Sequence, residues 1–335
     1  MMYRLLRPLF FSIPAELSHN LTVRILALIG RYTLFQKVIR FIYKRKYPSL
    51  ERELFGLRFP NPVGLSAGMD KNGEICNEMS DLGFGFVEIG SVTPLPQAGS
   101  HYPRMVRLRK DKAIFGRRGS NNAGVMRVIE NLKRARPEVI IAANISKNST
   151  SEGDKAIQDY TYSFSMLHDF VDMFVITLDD FTHLSEIIDE LLDKRLALDA
   201  YKPILIKIYP DLGQAQIDEI LHLSMLFGID GVVAGGSSSR LEGLKTSERK
   251  LAILGDGEIS GAPVFERDLN LVRYISEKTK GRLPIIASGG ISSGEDAAKM
   301  LEAGASLVEL YTGLIYNGPS LVRKINNHLS NITKC

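Results

Sequence analysis

From Phe55 onward, short apolar runs alternate with longer stretches in which apolar residues recur every three or four positions. The runs fall at residues 63–66, 86–89, 139–144, 173–178, 204–208, 231–234, 284–287 and 307–311. They are rich in Ile, Leu and Val and too short for helices, so each reads as a parallel strand buried on both faces. Helical patterns lie between them, among them 184–196, 293–303 and 319–329. Eight alternations predict an α/β fold, a (β/α)8 TIM barrel over residues 51–335. A doubly wound open sheet is the competing architecture, but no Gly-x-Gly-x-x-Gly turn follows the first strand.

Residues 1–50 carry a different pattern. Leu21, Ile25, Leu28 and Ile29 share one helix face, and after a break at 30–33 a second stripe follows at Phe35, Val38, Ile39 and Ile42. This predicts a two-helix amphipathic extension on the barrel. Charge sharpens the reading: the chain is +4 overall, but residues 1–50 hold nine Lys/Arg against Glu16 alone. A basic arm on a mildly acidic body suits an anionic surface. Charges every few residues exclude a spanning helix, which wants roughly 20 mainly apolar positions. Helices lying in a membrane interface fit better, and a hairpin that merely caps one barrel end is the plainer alternative. The arm lacks the aromatic interleaving of a nucleic-acid stacking platform, so no nucleic-acid partner is expected. Cys76 and Cys335 are the two cysteines, so no disulfide framework is indicated. The six histidines have no metal-ligand spacing, and no metal is expected. No cleavable signal is expected either: residues 9–13 are too short an apolar core and lack a small-residue cleavage site.

Polar residues gather where barrel chemistry belongs, at the strand C-terminal ends. The first strand runs into Ala67-Gly68-Met69-Asp70-Lys71, the second into Gly90-Ser91-Val92-Thr93-Pro94. The third continues into Asn144-Ile145-Ser146-Lys147-Asn148, the fifth into Lys207-Ile208-Tyr209-Pro210. The last two strands stop at Ser288-Gly289-Gly290 and Tyr311-Thr312-Gly313. Loops after those strands form the usual phosphate cup, and glycines there expose backbone N–H groups at helix starts. Lys71 and Lys207 would stabilise negative charge on a reduced flavin ring.

These stretches resemble the dihydroorotate dehydrogenases, specifically the membrane-associated, quinone-using class. The likeness spans nearly the whole chain, including Asn61-Pro62-Val63-Gly64-Leu65, the ends of the first two strands, 207–212 and Ser260-Gly261. The resemblance implies an FMN-binding barrel used in pyrimidine biosynthesis. In that family a base takes a proton from dihydroorotate while hydride passes to the flavin; quinone, entering between the N-terminal helices, then reoxidises it. By position, Ala67, Gly68, Lys71, Ser91, Asn144, Thr177, Lys207, Gly261, Gly290, Tyr311 and Thr312 would contact FMN. Thr177 and Gly235 stand where the family has Asn and Thr. Lys71, Arg117, Arg118, Gly119, Gly236 and Ser237 would face the substrate, and His19 and Arg104 the quinone. The implied location is peripheral, on the cytoplasmic side of the inner or cell membrane.

The substrate site departs from the family pattern. Gly116, Thr177 and Gly236, with Thr182 as the fourth position, replace asparagines that hydrogen-bond orotate. The family's long lid after the fourth strand is replaced by Thr177-Leu178-Asp179-Asp180-Phe181-Thr182-His183, shorter by on the order of ten residues. Asp180 stands at the position of the family's serine base, and His183 is the other candidate proton acceptor. Asp179 and Asp180 capping the following helix is the plainer reading. A paralogue acting on another substrate, or without catalysis, is the alternative function.

Overall fold

The computed structural model describes residues 2–135, 137–178 and 180–333; Asp179 and Cys335 lie outside the described residues. Eight strands are β1 (Val63–Leu65), β2 (Phe86–Val92), β3 (Ile140–Ile145), β4 (Met173–Ile176), β5 (Ile204–Ile208), β6 (Gly231–Gly235), β7 (Ile285–Ser288) and β8 (Leu307–Leu310). Each pairs in parallel with the next, and β8 pairs with β1 to close the barrel. All eight predicted runs overlap these strands; 204–208 coincides at both ends, and the others differ at one end or both. The helices Leu184–Ala197, Gly294–Glu302 and Ser320–Ile332 likewise follow the predicted periodicity.

Alternate residues of a strand face the same side, and here the inward set changes character along each strand. Phe86, Ala142, Val175, Leu205, Val233, Ile286 and Leu307 form a buried apolar layer. Beneath it, a hairpin of Arg52–Leu54 and Leu57–Phe59 closes the barrel's N-terminal end, with Phe59 packed edge-on to Phe86 at 5.6 Å. Two residues further along the strands the inward positions become Glu88, Asn144, Thr177, Lys207, Ser288 and Glu309, all buried. The apolar layer supplies packing energy; the polar layer is the floor of a site.

A three-stranded antiparallel sheet absent from the sequence reading (Met105–Leu108, Ala113–Gly116, Glu258–Gly261) stands on the C-terminal rim. The extension contains the two predicted helices, α2 (Ala15–Ile29) and α3 (Thr33–Tyr43), and a further one, α1 (Met2–Ser12). Phe11 and Ala15 bury against Met105, Ile114 and Tyr316, which docks the extension on that rim sheet. Arg40 holds α3 to the body through Asp81 at 2.8 Å and Glu138 at 3.0 Å. Leu9, Leu17, Leu21, Leu28, Leu34, Phe35 and Phe41 remain exposed. Among the described residues, no helix is long and apolar enough to cross a membrane.

Candidate active site

A cavity of about 790 Å³ opens at the C-terminal ends of the strands. That volume accommodates a cofactor and a small substrate together. All eleven residues expected at a cofactor line it, from Ala67 and Gly68 round to Tyr311 and Thr312, as do Arg117, Arg118, Gly119, Gly236 and Ser237.

The floor is a charged network. Lys207 Nζ lies 3.7 Å from Glu88 Oε1, and Asn144 Nδ2 donates to the same oxygen at 2.6 Å. Burial alone would lower the Lys207 pKa, but the facing Glu88 carboxylate outweighs it and holds the ammonium charged. Burial would likewise raise Glu88, yet Lys207, Glu309 and Asn144 pull it below the usual carboxylate range. Glu309 goes the other way: burial, then the neighbouring Glu88 charge, push it well above that range. Neither carboxyl oxygen of Glu309 has a hydrogen-bond partner among the described residues, so a charge there would be stranded and Glu309 is held as the neutral acid. The floor then holds one cation and one anion.

Lys71 is held differently. Its Nζ donates to Asn121 Oδ1 at 2.6 Å and to the Asn121 carbonyl at 2.9 Å. Burial, followed by Arg118 and Arg104, brings its pKa down to about 6. Arg118 donates to the Gly68 carbonyl at 2.9 Å and lies over the Tyr311 ring. The wall near Lys71 is therefore electropositive and receptive to an anion.

At the opposite rim the backbone approaches the cavity without side chains. Gly290 has φ +68°, and a Cβ there would come within 2.5 Å of Phe265 Cα, so only glycine fits. Ser260 Oγ and Thr312 Oγ1 lie 2.7 Å apart beside it. The Tyr311 hydroxyl is buried without a partner, which marks a group that a ligand can satisfy. Bare backbone at one end and two lysines at the other fit a ring cofactor with a phosphate tail.

Other expected residues are placed elsewhere. Asp180 is exposed and absent from the described cavity lining; its carboxylate accepts from the Thr182 amide at 2.9 Å and hydroxyl at 2.6 Å. His183 is the residue immediately before the helix Leu184–Ala197 and is likewise absent from that lining, whereas Leu178 and Phe181 face the cavity. Thr177 turns its hydroxyl to Asn144 Oδ1 at 2.9 Å. At Gly116 a Cβ would meet only open space. Arg104 is buried, hydrogen-bonded to Glu16 of α2 and to the Tyr102 hydroxyl. His19 lies close enough to Arg118 and Lys71 that burial and those charges bring its pKa down to about 3. The sequence reading missed Glu88, Glu309 and Tyr209; stepping two residues along each strand from an assigned inward position finds all three.

Comparison with known proteins adds three findings. A family profile described as dihydroorotate dehydrogenase matches residues 49–333. A "Dihydroorotate dehydrogenase (quinone)" of Christiangramia forsetii is 41% identical, the match covering 98% of each chain. One from Coxiella burnetii is 39% identical over 98% of this chain and 97% of its own. Among solved structures, a dihydroorotate dehydrogenase of Eimeria tenella in complex with ferulenol superposes with a TM-score of 0.86 at 30% identity, covering 96% of this chain and 92% of that one.

Proposed function

The chain belongs to the dihydroorotate dehydrogenase family, and from that membership we propose that it oxidises dihydroorotate to orotate, a step of pyrimidine biosynthesis, with a flavin as first electron acceptor and a quinone as second. The carrying observation is the charged floor, where Lys207 is kept cationic by Glu88 inside a sealed barrel. The flavin is FMN on this reading, because a single phosphate matches the one cradle at Gly290, Gly261 and Thr312. When bound, FMN accepts a hydride and returns electrons to the second acceptor.

The chain's own groups do the rest. Lys207 places positive charge where a reduced ring would carry negative charge, and Lys71, its pKa brought down to about 6, takes up a proton as negative charge develops beside it. Lys71, Arg118 and Arg117 form the wall toward the substrate carboxylate. His19 and Arg104 line the quinone approach beneath α2. Quinones are lipid-soluble, so the second acceptor must be met at a bilayer. The exposed apolar residues of α2 and α3, with nine Lys/Arg in residues 1–50, support peripheral binding to the cytoplasmic face of the inner or cell membrane. The experiment is direct: purify the protein, identify the yellow chromophore, and add dihydroorotate without oxygen. Bleaching of the visible band, reversed by a soluble quinone, is the expected result; an unbleached flavin refutes the reading.

A further inference from the structure

Three positions around the substrate end of the cavity carry no amide side chain: Gly116, Thr177 and Gly236. What stands there instead is Tyr209. It follows Lys207 by two residues at the end of β5, so it shares the inward face one step nearer the mouth. Its ring occupies the space beside Gly236: a Cβ at Gly236 would lie 3.6 Å from Tyr209 Cε1 and 4.0 Å from Lys207 Cε. Gly236 has φ +143°, a conformation that disfavours any side chain, so this arrangement keeps the sector for the tyrosine. Thr177 is anchored to Asn144 at 2.9 Å, and Asn144 to Glu88 at 2.6 Å.

We infer that the Tyr209 hydroxyl is the polar group that reads the carbonyl and N–H edge of the substrate ring in this cavity. The inference rests on the proposed oxidation of dihydroorotate and adds a specificity-determining residue to it. Two observations carry it. Tyr209 lines the cavity while its neighbours at Gly116 and Gly236 offer no side-chain hydrogen bond. The ring also fills the space that a side chain at Gly236 would take, its Cε1 3.6 Å from where that Cβ would stand, so the phenol is the polar group supplied to this sector. A phenol both donates and accepts, so one group serves either a carbonyl or an N–H of the ligand. Its ring is rigid, with two side-chain torsions to fix.

Tyr209→Phe keeps the ring and removes the hydroxyl. The oxidised flavoprotein is titrated with orotate, following the visible flavin band, and the same preparations are reduced anaerobically with dihydroorotate. Expected in Y209F are unchanged flavin content and an orotate Kd weakened by on the order of ten- to a hundredfold, the scale for leaving a buried polar partner unmatched. The KM for dihydroorotate should rise with it. Equal orotate affinity in Y209F and the parent overturns the assignment and leaves Tyr209 as packing, even if Tyr209→Ala binds poorly. Loss of flavin from Y209F also overturns it, because the residue would then belong to the cofactor. A parent protein that dihydroorotate fails to bleach removes the proposed function, and this inference with it.

Discussion

Glu309→Gln should stabilise the protein, and by an amount that grows with pH. The amide is nearly the shape of a protonated carboxyl and, like it, is neutral. In the native barrel Glu309 keeps its proton, because burial and the Glu88 charge raise its pKa well above the ordinary range. In the unfolded chain it ionises near pH 4.3, as ordinary glutamates do. A group whose folded pKa is raised contributes fully below the unfolded value, and that contribution is lost as pH rises toward the folded one. Each pH unit in that window costs about 1.4 kcal/mol, so at pH 7 the native state gives up about 3 to 4 kcal/mol to keep Glu309 neutral. Glutamine never ionises and escapes this. Glu88 has the opposite sign, since its lowered pKa gives stability above the unfolded value, and it is present in both proteins. The stability difference between E309Q and the parent should therefore be near zero around pH 4 and open steadily to about 3 kcal/mol by pH 7. Urea unfolding followed by circular dichroism at four or five pH values, at one fixed flavin concentration, measures it. A difference that is constant across pH would refute the neutral, buried Glu309, whatever its size.

Three further outcomes follow from the same physics. His19 is held neutral with its pKa brought down to about 3 by burial, Arg118 and Lys71, so stability is intact above pH 6.5 and falls by about 1.4 kcal/mol per unit as pH drops toward 3. His19→Asn should show a shallower acid decline of the thermal midpoint, and an unchanged slope would sink the assignment. The Glu16–Arg104 pair is buried on both sides, so Glu16→Leu alone should cost about 3 kcal/mol by stranding Arg104, whereas Glu16→Leu with Arg104→Met should cost less; additive losses would show that the two are uncoupled. Leu21→Glu with Phe41→Glu, at residues 41% and 76% exposed, should abolish sedimentation with anionic vesicles while dihydroorotate still bleaches the flavin in solution. Vesicle binding that survives both charges would leave the apolar face without its proposed role.

The parts of this molecule that were legible in the sequence are those set by local rules. A buried parallel strand must be a short apolar run, so each of the eight barrel strands is visible in the sequence. Ile204–Ile208 was placed with both ends correct because Pro203 and Pro210 bracket it. The cofactor residues were legible because strand ends and glycine turns advertise themselves in one dimension. What stayed hidden depends on partners far apart in the chain. Glu309 next to Leu310 reads as an ordinary polar interruption until Glu88, more than two hundred residues earlier, is brought against it. The rim sheet joins 105–116 to 258–261, distant in the chain as well, and no periodicity records such pairing. Asp180 illustrates the converse: its position in the segment suggested chemistry, but a segment that turns into a helix at Leu184 leaves its carboxylate to its own Thr182.

The hidden residues share one property that explains why they sit together. Along the strands the inward positions change from apolar to polar within two residues, at Phe86 then Glu88, Leu205 then Lys207, and Leu307 then Glu309. A charge at the lower level would be stranded in hydrocarbon, at a cost of several kcal/mol per ion. An apolar residue at the upper level would leave a cofactor's polar edge unpaired. Lys207 can therefore stay cationic only if Glu88 faces it, and a second carboxyl fits there only as the protonated acid. The neutral sum of the floor follows from burial, and it leaves the field at the cavity to be set by Arg117 and Arg118 on the wall, where an anionic substrate has to bind and where its charge draws a proton onto Lys71.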